Sequence, residues 1–327
     1  MALLDIRDLT VTRPGAAPGA PPAPLLDGVS LTLDRGGALG LVGESGCGKS
    51  LTALAVMALL PAGLRAGGSV LLDGEDLLTA SERRLCALRG RRMAMVFQEP
   101  MTALNPVRTI GDQVAEGPRH HLGLSRRAAR EHARAVLDRV GLDPARVSPD
   151  SYPHALSGGQ RQRAVIAIAV ACGPALLIAD EPTTALDVAT QARILDLILD
   201  LVTDEGLALL MISHDLGVVA ETARDMAVMY AGRIVETGPT ARVLAAPRHP
   251  YTAGLMAARP QHDRGRPGQP LAAIPGVVPP PGARPPGCAF ADRCARADAV
   301  CRTRPVLAGE PGGRHRAACH HPVEPPA

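Results

Sequence analysis

Tryptophan is absent from this chain of 327 residues, and its rings are two Phe and three Tyr: Phe97, Phe290, Tyr152, Tyr230 and Tyr251. So few aromatics argue against the stacking platforms that grip single-stranded nucleic acid. The net charge is only +3, from 35 basic and 32 acidic side chains, so no strong field points to DNA or RNA as a partner. Long apolar runs are missing too. The longest, residues 164–179, is interrupted by Gly173 and Pro174 and falls short of the roughly 18 to 20 residues that a membrane span needs. Any membrane association is therefore expected through partner subunits. Asp5, Arg7 and Asp8 stand where a secretory signal would carry an apolar core, so an intracellular start is expected. No repeat of 20 to 50 residues is visible.

Lysine is the most telling scarcity. Lys49 is the single lysine, and every other fixed cation is arginine. It stands in GESGCGKS, Gly43 to Ser50, which fits the phosphate-cradling pattern G-x-x-x-x-G-K-[ST]. A compact, flexible ammonium at that one place points to a chemical need that a planar guanidinium does not meet. The backbone N–H groups of Gly46, Cys47, Gly48 and Lys49 are suited to wrap a β-phosphate, with the positive end of a following helix behind them. Lys49 is expected to reach the β- and γ-phosphates and Ser50 to ligate magnesium. Glu44, Ser45 and Leu51 complete the nucleotide-binding stretch, and Cys47 is read as a bystander within it.

Apolar patterning places strands at Leu3 to Thr12, Val29 to Leu33, Ala38 to Val42, Met93 to Phe97, Ala175 to Ala179, Leu207 to Ser213 and Asp225 to Tyr230. Helices are expected over Ser50 to Leu60 and Ala192 to Val202. A third, capped by Ser125, carries Ala129, Ala133, Val136, Leu137 and Val140 on one face. Strands alternating with helices imply a largely parallel sheet. Pro14 to Pro24 reads as a loop. Residues 99–157 read as a helical subdomain, and a boundary falls at about residue 247, before a tail rich in Pro, Gly and Arg.

The strand LLIADEP, Leu176 to Pro182, ends in two acids: Asp180, suited to hold magnesium, and Glu181, suited to polarise an attacking water. LSGGQ, Leu156 to Gln160, narrows the reading. With the phosphate loop, Gln98 and His214, it resembles the nucleotide-binding subunit of ABC transporters. The resemblance implies an α/β fold of the P-loop NTPase class, ABC type: an antiparallel β subdomain, a RecA-like parallel-sheet core and a helical subdomain. It further implies that two such domains sandwich two ATP molecules with Mg2+, each site completed by Ser157, Gly158, Gly159 and Gln160 of the facing subunit. Under it, Gln98 senses magnesium and the attacking water and begins the loop that touches membrane subunits. His214 contacts the γ-phosphate, and Asp187 in TALD communicates across the dimer. Where the family presents an aromatic ring to adenine, this chain has Arg13, whose guanidinium either stacks on the base or faces solvent.

HPYTAGLMAARP, His249 to Pro260, CAFADRC and QEPMTALNP, Gln98 to Pro106, resemble the branch that powers oligopeptide and dipeptide import. Residues 1–247 are then the ABC nucleotide-binding domain and 248–327 a C-terminal extension. The implied partners are a second ATPase subunit in a heterodimer, two transmembrane permeases and an extracytoplasmic peptide-binding protein, at the cytoplasmic face of the cell membrane. The alternatives are import of nickel chelates or another small solute, and, from another class, a soluble ABC ATPase acting on DNA or ribosomes. Four cysteines crowd the tail: Cys288, Cys294, Cys301 and Cys319. In an intracellular protein such a set reads as metal ligands, for zinc or an iron–sulfur cluster, and similar importer tails carry [4Fe–4S]. His315, His320 and His321 are read as solvated, with ligation the alternative. Cys86 and Cys172 are expected in helices, as core residues.

Overall fold

The computed structural model describes residues 2–15, 21–98, 103–184, 186–258, 273–280, 282–310 and 312–324. The middle of the expected loop at 14–24, most of QEPMTALNP's first half and most of the proline-rich stretch lie outside the described residues.

Two sheets carry the fold. The smaller is antiparallel, with β1 (Ala2–Arg13), β2 (Ala23–Asp34), β4 (Arg65–Leu72) and β5 (Glu75–Asp76) in the order β2-β1-β4-β5. The larger has eight strands. Its centre is parallel: β3 (Ala38–Val42), β6 (Met93–Val96), β7 (Leu176–Asp180), β8 (Ala208–Ser213) and β9 (Asp225–Tyr230), ordered β9-β3-β8-β7-β6. Every residue of β7 and β8 is buried, as expected for strands covered on both faces. The expectation of a largely parallel sheet is met at its centre. Beyond β9 the sheet continues antiparallel, first through β10 (Arg233–Pro239), which turns back on β9, and then through β12 (Arg316–Ala317) and β11 (Ala308–Gly309), where the C-terminal extension returns to the edge of β10.

α1 (Lys49–Val56) is shorter than the run to Leu60 suggests. Ala58 takes φ +50°, and Arg89, just beyond α2 (Glu82–Leu88), donates to the carbonyls of Met57 and Ala58 at 2.9 and 2.8 Å. Those donors satisfy the open end of the helix, so it stops there. α3 (Ile110–His121) and α4 (Arg126–Arg139) pack on α5 (Gly158–Val170). Ser125 caps α4 as expected, and Ala129, Ala133, Val136 and Leu137 face inward. α6 (Val188–Glu205), α7 (Leu216–Thr222), α8 (Thr240–Ala245) and α9 (Pro250–Ala257) complete the helices longer than a single turn among the described residues. One apolar core lies between the two sheets and around α1 and α2. The other runs from α3 and α4 through α5 and α6 to Cys288, Phe290 and Cys301 in the extension. Among the described residues no helix is long and apolar enough to cross a membrane.

Two cysteines depart from expectation. Cys86 lies in α2 but is exposed, on the outer side with Glu82. Cys172 is buried but sits in the turn after α5.

Candidate functional site

The phosphate loop runs from the end of β3 into α1. Gly43 sits at φ 156°, and a Cβ there would lie 2.2 Å from the carbonyl oxygen of Met229, so only glycine lets β3 turn against β9. Gly48 caps α1 in the left-handed region at φ 112°. Lys49 is buried, and its ammonium donates to the carbonyls of Gly43 at 2.8 Å and Glu44 at 3.1 Å. The single lysine is therefore folded back along the loop it serves. Burial pushes the Cys47 thiol up, against the pull of Lys49, so the buried sulfur packs as a neutral group. Ser45, Ser50 and Leu51 flank this turn, Ser50 and Leu51 in the first turn of α1.

β7 delivers the acids. Asp180 is buried and accepts from Ser50 Oγ at 3.1 Å, which brings together two of the three groups read as magnesium ligands; the third, Gln98, donates instead to Glu181. Burial raises its pKa, with the Ser50 hydrogen bond and Lys49 opposing and Glu181 adding to the rise. A divalent cation there would hold the carboxylate ionised, and the oxygen donors suit a hard ion.

Glu181 has φ 48°, an uncommon backbone for an L residue and of the kind that gathers at functional sites. That turn aims its carboxylate at three donors. Oε2 accepts from Gln98 Nε2 at 3.1 Å and from Thr184 Oγ1 at 3.0 Å, and Oε1 stands 3.2 Å from His214 Nδ1. Gln98 comes from the end of β6 and His214 from the end of β8, so three parallel strands converge their C-terminal ends on one carboxylate. The arrangement suits a general base held in register with a water and a phosphoryl group. Sequence reasoning missed Thr184, although its place three residues after Glu181 is the available signal.

LSGGQ behaves differently. Ser157 N-caps α5 in a capping box with Gln160, at 3.3 and 2.9 Å, and Gly158 and Gly159 open the helix against Leu186 and Thr190. These hydrogen bonds are local, and none reaches the phosphate loop of the same chain. Asp187 likewise caps α6, accepting from Thr190. Arg13 lies exposed at the end of β1.

In the extension, Cys288, Cys294, Cys301 and Cys319 line one small cavity with His249, Phe290, His320 and His321. None of the four is in a disulfide. Burial pushes the Cys319 thiol up to about 11, and the other three sulfurs add to the rise. Cys288 is raised by burial as well. A bound cation reverses that balance, because thiolate ligation releases the protons. Among the described residues, the group of three ligand atoms within 4.8 Å of one another is Asp298, Cys301 and His321. His315 is not solvated: its side chain is largely buried and stands 2.7 Å from Oε1 of the fully buried Glu236, which holds β10 to the extension. His320 lies near Thr303.

Two regions match known family models: residues 26–184 match the ABC transporter family, and 235–301 the oligopeptide/dipeptide transporter C-terminal region. The chain is 50% identical to a probable peptide ABC transporter ATP-binding protein of Sinorhizobium fredii, covering 97% of this chain and 94% of that one. It is 48% identical to a probable D,D-dipeptide transport ATP-binding protein of Escherichia coli, covering 98% and 97%. Among solved structures, a dimeric ATP-binding cassette in a post-hydrolysis state with ADP and Pi aligns with TM-score 0.63 at 25% identity, over 72% of this chain and 98% of that one.

Proposed function

Since the chain belongs to the peptide ABC transporter ATP-binding proteins, and is an ATP hydrolase, we propose that it powers import of oligopeptides or dipeptides from the cytoplasmic face of a membrane. The observation that carries the hydrolytic half is the meeting of Gln98, Thr184 and His214 on Glu181, beside the Ser50 and Asp180 pair. Lys49 and the loop amides bind the phosphates. Ser50, Asp180 and Gln98 hold Mg2+. Glu181 takes the proton of the attacking water, with His214 orienting the γ-phosphate end.

The site is finished in trans. Ser157, Gly158, Gly159 and Gln160 open a helix whose free N–H groups suit a γ-phosphate, yet within one chain they make only local bonds. A facing ATPase subunit brings its own copy of that turn to this phosphate loop, and Asp187 couples the two sites. A heterodimer, two permeases and a peptide-binding protein complete the assembly. Arg13 is the candidate for the adenine face. Copurification with permease subunits and peptide-stimulated ATPase in vesicles is the expected result. Recovery with ribosomes or DNA and without any membrane subunit overturns this reading.

We propose that Cys288, Cys294, Cys301 and Cys319, which line one cavity, hold a [4Fe–4S] cluster, with zinc as the alternative. For zinc, which takes sulfur, nitrogen and oxygen ligands at about 2.0 to 2.3 Å, the compact set is Asp298, Cys301 and His321, whose ligand atoms lie within 4.8 Å of one another. Iron and sulfide assay of anaerobically purified protein tests this, with zinc, or neither metal, as the contrary outcomes.

A further inference from the structure

The chain holds five aromatic residues, and three of them, Tyr230, Tyr251 and Phe290, cluster directly behind the phosphate loop with ring centroids 4.7 to 5.5 Å apart. Arg293 lies against this cluster, 5.8 Å from the Tyr230 ring centroid and 5.9 Å from that of Phe290. Its side chain is 5% exposed, and it makes a bidentate pair with Glu44 of the phosphate loop, Nη1 to Oε2 at 2.6 Å and Nη2 to Oε1 at 3.0 Å. Nε donates to the carbonyl of Pro275 at 2.7 Å. The Glu44 amide donates to the Tyr251 hydroxyl at 2.8 Å, while its carbonyl accepts from Lys49. Every polar part of Glu44 is thus engaged, the carboxylate and the amide by groups that follow residue 247.

We propose that Arg293 and Tyr251 are positioning residues for the nucleotide reaction: through Glu44 they hold the phosphate loop in the shape that binds ATP, so the C-terminal extension sets nucleotide affinity. The proposal rests on the ATP reading above. The physical reason is preorganisation. A glycine-rich loop has many accessible conformations, and apparent affinity falls by the fraction of molecules outside the competent one. A fork-shaped guanidinium on a carboxylate restricts that loop in both distance and plane. Arg293 is presented by the single-turn helix Ala291–Arg293, between Cys288 and Cys294, so the segment that gathers the thiols also aims the guanidinium.

The test is Mg-ATP binding to the full-length chain by calorimetry, with steady-state ATPase in the assembled transporter. Arg293→Ala is expected to raise Kd and KM for ATP roughly tenfold while kcat at saturating ATP stays within about twofold. Arg293→Lys and Tyr251→Phe, which keep the charge and the ring respectively, each give roughly threefold. Adding Glu44→Gln to Arg293→Ala gives little further loss, because both remove one interaction. A purely structural role lowers the melting temperature and leaves Kd of the folded protein unchanged. Wild-type Kd in folded Arg293→Ala overturns the inference. Should that variant not fold, wild-type Kd in both Arg293→Lys and Tyr251→Phe overturns it equally. An unaltered chain that fails to bind Mg-ATP defeats the nucleotide reading itself, a result distinct from affinity that ignores Arg293.

Discussion

Lys49 shows how much one side chain carries. Its ammonium rests on two loop carbonyls. Lys49→Ala is expected to abolish ATP binding, with Kd rising by roughly two orders of magnitude or more, since the loop loses its one mobile cation. Calorimetry checks this, and retained affinity would reassign the loop. Glu181→Gln keeps the hydrogen-bonding shape but removes the base. ATP binding should persist while hydrolysis slows by roughly a hundredfold or more. Undiminished turnover would name another residue as base. Thiol chemistry separates the cysteines as well: maleimide should modify exposed Cys86 first and Cys47 last, because burial keeps Cys47 protonated and covered. Peptide mapping after brief labelling reads the order.

Elements were legible where their signals were local. The cap at Ser125 and the inward stripe Ala129, Ala133, Val136 and Leu137 needed only spacing along one helix. The end of α1 was not legible, because the group that terminates it, Arg89, is about 31 residues away. Ser157 belongs to both levels. It is read as a γ-phosphate contact for a facing subunit, and it also caps α5 within its own chain. Ser157→Ala is therefore expected to lower the stability of the isolated chain by about 1 kcal/mol, and separately to impair hydrolysis in the assembled complex. Urea unfolding measures the first effect. A midpoint equal to wild type would leave Ser157 with no capping contribution.

At the scale of the whole molecule, carboxylates tie the extension to the nucleotide-binding core. Glu236 takes His315 and the amides of Arg248 and His249, Glu44 takes Arg293 and Tyr251, and Asp27 takes Arg233, Arg284 and Arg304. At Asp27, burial alone would raise the carboxyl, but the hydrogen bond and charge of Arg233, then Arg304 and Arg284, hold it below its ordinary value of 3.8. A depressed folded pKa stabilises the fold fully above 3.8, and the contribution is lost as pH falls through the folded value. Asp27→Asn should thus cost about 1 to 3 kcal/mol at pH 7, leaving three arginines without their counter-charge, and the gap from wild type should close in acid. Denaturant curves at several pH values check both. A gap that widens on acidification would contradict the assignment.

Sequence alone determined the chemistry: a lone lysine in a glycine loop, an acid pair closing an apolar strand and an ordered set of short motifs are statements about residue type and spacing, which survive without coordinates. Only the tertiary structure decided which side chains share a charge. Gln98 and His214 meet on Glu181 because parallel strands bring their ends to one edge of the sheet, whereas Thr184 reaches it from the same turn. Arg293 reaches Glu44 across about 249 residues of chain because the extension folds back against β10. Such pairings depend on distances in space, and no periodicity along a chain encodes them.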